Sequence, residues 1–106
     1  MALARIQVPP QAKRGEPVEV RIVIQHPMET GFRRDANGVR QRRNAIVALV
    51  CRYGGVEVLR AITSPGVAAN PTLRFHLRAE KTGDLELWWI DDDNVEGSAK
   101  AQLVVV

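Results

Sequence analysis

Few side chains in this sequence are equipped for chemistry, and their spacing decides what each can do. Cys51 is the single cysteine, so no disulfide can form within the chain. With only two histidines, His26 and His76, a cysteine-based zinc site cannot be completed either. Cys51 sits in "AIVALVCRY", the most apolar stretch, where burial raises a thiol pKa and bars access; a packed, inert thiol is expected. His76 falls between Arg74 and Arg78 in an alternating run and is expected on an exposed face. His26 directly precedes Pro27 where a strand ends, a position from which an imidazole can bond loop backbone or meet a partner. The run Asp91, Asp92, Asp93, Asn94 gathers oxygens of the kind hard cations take. It lacks the spacing and the closing Glu of a calcium loop, so a solvated hairpin turn is the simpler expectation. No phosphate-cradling glycine loop, no Ser-His-Asp set and no carboxylate pair in an apolar setting can be assembled. No catalytic residue, cofactor site or metal site is therefore assigned, and the chain is not expected to be an enzyme.

The most charged stretch is "HPMETGFRRDANGVRQRRN", residues 26 to 44, with five arginines. Arginine suits planar recognition of oxyanions. The net charge is nonetheless only +3, and no aromatic motif is interleaved with the arginines, so nucleic acid is not the expected partner. At 18 residues the connection from Pro27 to Asn44 exceeds the usual hairpin length several-fold, which marks it as functional or disordered.

The elements that must position these residues follow a period of two. In "GEPVEVRIVIQHP", Val18, Val20, Ile22 and Ile24 fall on one face and Glu19, Arg21 and Gln25 on the other, as in a strand with one face on a core. "AIVALVCRY" is apolar on both faces and is expected to be central in its sheet. Gly54-Gly55 signals a tight turn into "VEVLRAI". "PTLRFHLRAE" and "GDLELWWIDDD" alternate in turn, with Trp89 inside and Trp88 outside, and "AKAQLVVV" closes the chain. Trp88 beside Ile90, with Val23 as a neighbour, has the composition of a protein interface. With a short first strand in "ARIQVP", about seven strands in a chain of this length imply an all-β, immunoglobulin-like antiparallel sandwich. Residues 1–106 form one domain, since the length leaves no room for two cores.

Four stretches, "KRGEPVEVRIVIQHPMETGFRRDANG", "VCRYGGVEVLRA", "SPGVAANPTLRF" and "GDLELWWIDDDN", resemble the SoxZ family in order and spacing over nearly the whole chain, with "HPMETG" the most specific piece. Departures from the family pattern fall at Trp88 and Thr72. The resemblance implies a non-catalytic, immunoglobulin-like subunit of the SoxYZ sulfur carrier complex in thiosulfate oxidation. Its partner SoxY carries sulfur intermediates on a cysteine at the end of a flexible arm and is visited transiently by Sox enzymes.

His26, Met28, Glu29, Thr30, Arg33, Arg34 and Trp88 are expected to be partner-binding residues, and the arginine-rich remainder of the loop a mobile crossing. The start "MALARIQVPP" lacks an apolar signal-peptide core, and no apolar run approaches membrane-spanning length, which alone would suggest a cytoplasmic chain. The resemblance instead implies a periplasmic subunit exported together with SoxY. Two rival readings remain at this point: an accessory sandwich subunit of another periplasmic oxidation system, and a sulfur-transfer protein using Cys51.

Overall fold

The alternating runs become seven strands in the computed structural model, which describes residues 4–29, 31–62 and 69–106. They are β1 (Ala4–Gln7), β2 (Pro17–Ile24), β3 (Ile46–Tyr53), β4 (Val56–Ile62), β5 (Thr72–Arg78), β6 (Gly83–Asp91) and β7 (Glu96–Leu103). One antiparallel sheet has the order β1-β2-β5 and the other β4-β3-β6-β7. The described residues contain no helix, and so none long and apolar enough to cross a membrane. The expected all-β, immunoglobulin-like sandwich is the observed one. It departs from the antibody constant-domain arrangement in that β4 lies beside β3 rather than beside β5.

Period two decides what each strand buries. Val18, Val20, Ile22 and Ile24 of β2 and Leu85, Leu87 and Trp89 of β6 are all at most 2% exposed. Each buried aliphatic contributes about 2 kcal/mol relative to exposure. Leu73, Phe75 and Leu77 of β5 pack on the same core but stay half-buried, because β5 pairs with β2 alone and forms an edge. β3 lies between β4 and β6, as its apolar run requires. Gly54 and Gly55, with φ of 57° and 84°, make the two-residue turn between β3 and β4. Positive φ at both central residues matches the right-handed twist of the flanking strands.

Two further devices close the sandwich. After β1 the chain crosses to the other sheet, where Ala12 forms a parallel bridge with Val105: Ala12 N–H donates to the Val104 carbonyl and Val106 N–H to the Ala12 carbonyl, both at 2.9 Å. The Tyr53 hydroxyl accepts from the Glu80 and Lys81 N–H groups and donates to the Lys81 carbonyl, fastening β3 to the turn between β5 and β6.

Two details differ from expectation. β7 begins at Glu96, three residues before "AKAQLVVV", because the acidic turn is tight: Asp91 N–H and Val95 C=O already pair at 3.1 Å. Val23 lies on the outer face of the three-stranded sheet, opposite Arg5 and Thr72, and so is no neighbour of Trp88. Most of the 63–71 connection lies outside the described residues.

Trp89 packs against β7 at Gly97, its partner in the ladder, and a Cβ at that position would stand 2.2 Å from Trp89 Cζ2. Gly97→Ala is therefore expected to destabilise by about 2 kcal/mol or more, as overpacking in a closed core does. A thermal melt should show a fall of roughly 10 °C in the midpoint. An unchanged midpoint would mean that the ring moves aside without cost.

A candidate partner-binding arm and its buried root

Beyond Ile24 the strand direction continues for two residues and then breaks at Pro27, which has no N–H to offer a ladder. The residue before a proline is held extended, so His26 prolongs the alternation of Val18 to Ile24 and its ring turns inward. It is 3% exposed. Its backbone is tied to Asn70 in both directions: His26 N–H donates to Asn70 Oδ1 at 3.0 Å, and Asn70 N–H to the His26 carbonyl at 2.7 Å.

The imidazole joins the two sheets. Nδ1 accepts from the Met28 N–H at 3.0 Å, so the ring proton resides on Nε2, which donates to Asp91 Oδ2 at 3.2 Å. This is a neutral imidazole on a carboxylate rather than an ion pair. Asp91 closes its side of the arrangement with Oδ1, which accepts from the Asp93 and Val95 N–H groups, both at 2.9 Å. The Trp89 ring meets the His26 ring edge-on, with centroids 6.0 Å apart. Its own Nε1 is buried with no hydrogen-bond partner.

Met28 takes a left-handed backbone, φ 52°, which costs a non-glycine residue about 1 kcal/mol. The bond to His26 holds it there, and its thioether sulfur accepts from the Ile46 N–H at 3.3 Å. Glu29 and Asn44 then exchange two backbone hydrogen bonds, of 2.7 and 2.9 Å, and the chain leaves the sandwich as a narrow ribbon. Arg34 and Arg40 form a second bridge, and the tip turns on Asp35, whose Oδ1 accepts from the Asn37 and Val39 N–H groups. The stretch expected as a mobile crossing is thus a paired arm.

Its arginines are committed locally. Arg33 binds Glu29 through several N–H···O contacts, the shortest 2.6 Å; this hydrogen bonding holds the Glu29 carboxyl below its ordinary range and raises Arg33. Arg42 pairs with Asp93 at 2.8 Å and Arg43 with Asp92 at 3.2 Å. Arg34 donates to the Gly38 carbonyl and Arg40 to that of Gly31, with the Arg40 guanidinium 5.2 Å above the Phe32 ring. Phe32 is 80% exposed and Val39 59%.

The structure thus brings together His26, Met28, Glu29, Arg33 and Arg34 but sorts them by role. His26 and Met28, expected to touch a partner, are buried; their side chains build the root of the arm and offer no surface. Glu29 and Arg33 engage each other, Arg34 engages the tip, and Thr30 lies outside the described residues. Trp88 does face outward, on the four-stranded sheet between Val50 and Ser98, where its Nε1 donates to Glu96 at 2.6 Å. It is not part of the arm. The residues that sequence reasoning missed are Asp91 and Asn70. Alternation carried one step past Trp89 puts Asp91 inside, where a buried carboxylate demands donors.

Cys51 is fully buried among Leu49, Leu59 and Leu87, and burial pushes its thiol from an ordinary 9.0 up to about 11. Among the described residues no group of three His, Cys, Asp or Glu is placed to hold a metal ion.

Fold and site together define a two-sheet immunoglobulin-like domain that carries a paired arm and keeps its only thiol sealed. The family model for "Sulphur oxidation protein SoxZ" matches residues 6–102, and the chain belongs to the SoxZ family. Among proteins of curated function, none matches in sequence. Solved structures share the fold. The superoxide reductase (neelaredoxin) from Ignicoccus hospitalis is similar with a TM-score of 0.70 and 22% identity, over 97% of this chain and 80% of that one. The sulfur carrier protein SoxY from Chlorobium limicola f thiosulfatophilum is similar with a TM-score of 0.69 and 16% identity, over 97% and 78%. A putative superoxide reductase from Thermotoga maritima gives 0.72 and 15%, over 97% and 85%.

Two outcomes follow from this geometry. Asp91→Ala leaves the His26 Nε2–H and two backbone N–H groups without acceptors and is expected to cost about 3 kcal/mol in urea denaturation. A loss below about 1 kcal/mol would show that water replaces the carboxylate. For Cys51, the unfolded thiol titrates near 9.0 and the folded one near 11, so between those values the unfolded chain has shed a proton that the folded chain keeps. Stability should fall as pH rises through that window, by roughly 1–2 kcal/mol more than in Cys51→Ala. Equal slopes in the two proteins would contradict the burial effect.

Proposed function

We propose that this chain is a non-catalytic subunit of the SoxYZ sulfur carrier complex, which binds SoxY and helps present its cysteine-bound sulfur intermediates to the Sox enzymes. The observation that carries the reading is the state of Cys51. In a sulphur-oxidation family, covalent sulfur needs an accessible thiolate, and the one thiol here is buried with its pKa at about 11. The reactive sulfur then belongs to a partner, and this chain supplies structure. The same observation weighs against a sulfur-transfer protein acting through Cys51.

The arm is the partner grip. Its arginines neutralise neighbouring carboxylates or brace its backbone, while Phe32 and Val39 stand out as exposed apolar anchors. Apolar residues on an outlying element are the composition of an interface centre. Trp88 and Ile90, half-buried on the outer face of the four-stranded sheet, form a second apolar area that a partner can cover. The complex works in the periplasm, and this subunit travels there with SoxY.

Co-expressed with SoxY, the chain is expected to co-elute with it in size-exclusion chromatography and to remain cytoplasmic when SoxY loses its export signal. Phe32→Asp together with Val39→Asp should weaken the pair at least about tenfold, or 1.4 kcal/mol, with an unchanged melting point because both side chains are exposed. A chain that elutes alone beside SoxY would sink the proposal.

A further inference from the structure

The arm uses its arginines internally, on carboxylates or backbone carbonyls; arginine side chains with neither kind of partner among the described residues lie elsewhere. On the outer face of the β1-β2-β5 sheet, Arg21 stands directly opposite Arg74 in the ladder, and Arg5 occupies the next row. All three are exposed, and none of their side chains makes a hydrogen bond or ion pair with another described residue. Arg78 extends the face, and Glu19 is its one carboxylate, 3.9 Å from His76. Four arginines against one carboxylate is an excess equal to the formal net charge of the entire chain, +3.

This arrangement works against stability. Like charges directly opposite on neighbouring strands repel, and any carboxylate opposite Arg21 would have relieved it. Between β1 and β2 the face also dips into a depression of about 480 Å³ lined by Ala4, Arg5, Gln7, Arg21, Val23 and Gln25. A concave, unneutralised row of guanidinium groups has an evident complement.

We propose that this face docks an acidic patch of a partner protein. Guanidinium forks match carboxylates two bonds at a time, and same-face residues about 7 Å apart along a strand and about 5 Å across strands match the carboxylate spacing of a folded surface. The face holds no Phe, Tyr or Trp on which bases could stack, and Glu19 with Val23 interrupts it in a way that suits a mixed protein surface better than a phosphate backbone. It lies on the sheet opposite Trp88, and the proposal does not depend on which protein the arm grips.

The test is a nitrogen-15 NMR titration of the chain with an octaglutamate peptide at about 20 mM salt, where the Debye length exceeds the spacing of the face. Shifts should centre on β1, β2 and β5 around Arg5, Arg21 and Arg74. The double variant Arg21→Glu, Arg74→Glu should weaken binding at least tenfold, while Arg52→Glu on the other sheet leaves it unchanged. Shifts centred on the arm, or tighter binding of a single-stranded oligonucleotide to the same face, would overturn the proposal. Arg74→Glu alone should raise the melting point by about 1–3 °C, because it removes a like-charge pair; a fall would assign these arginines a structural role and overturn it as well.

Discussion

The hydrogen bond from His26 Nε2 to Asp91 is the contact on which the architecture of this molecule turns. It joins the strand exit of one sheet to the strand exit of the other, in an interior where an unpaired polar group costs about 1–3 kcal/mol. Every polar atom of the two side chains has a partner: Met28 N–H for Nδ1, two turn amides for Asp91 Oδ1, and each other for the rest. Through Met28 the same contact fixes the left-handed step that sends the chain out of the sandwich. The acidic turn and the arm root are therefore one unit, although they lie 65 residues apart in sequence.

Much of the fold was legible in the residues because a sheet with one buried face writes its own period. Val18 to Ile24 and Leu85 to Trp89 name the two inner faces, and Gly54-Gly55 names its turn. The site was legible only in part. His26 at a strand end reads either as a bond to loop backbone or as a partner contact, and Met28 as a partner contact; their burial depends on Asp91 and Ile46, contacts that no local pattern announces. The alternation nonetheless runs one step beyond the evident apolar positions, to His26 after β2 and Asp91 on β6. The arm was opaque for another reason. Its two bridges and the Asp35 turn are irregular and polar, so neither a helical nor a strand period reveals them.

Two groups of arginines differ in what they meet. Those near carboxylates, such as Arg33, Arg42 and Arg43, hold local geometry, and exposed pairs of this sort add little to stability. Arg5, Arg21 and Arg74, whose side chains bond neither carboxylate nor carbonyl among the described residues, leave a field pointing outward from the three-stranded sheet. Counting arginines along the sequence draws the eye to the arm, where the density is highest. The distribution of their partners draws it to the outer face of the three-stranded sheet.

The arm has one more consequence. Because Glu29 with Asn44, Arg34 with Arg40 and the Asp35 tip are bonded within the chain itself, the arm is shaped without a partner. A floppy loop of the same length would surrender backbone freedom of about 1–2 kcal/mol per residue fixed. Here that entropy is given up during folding, so any association through the arm would retain more of its contact energy.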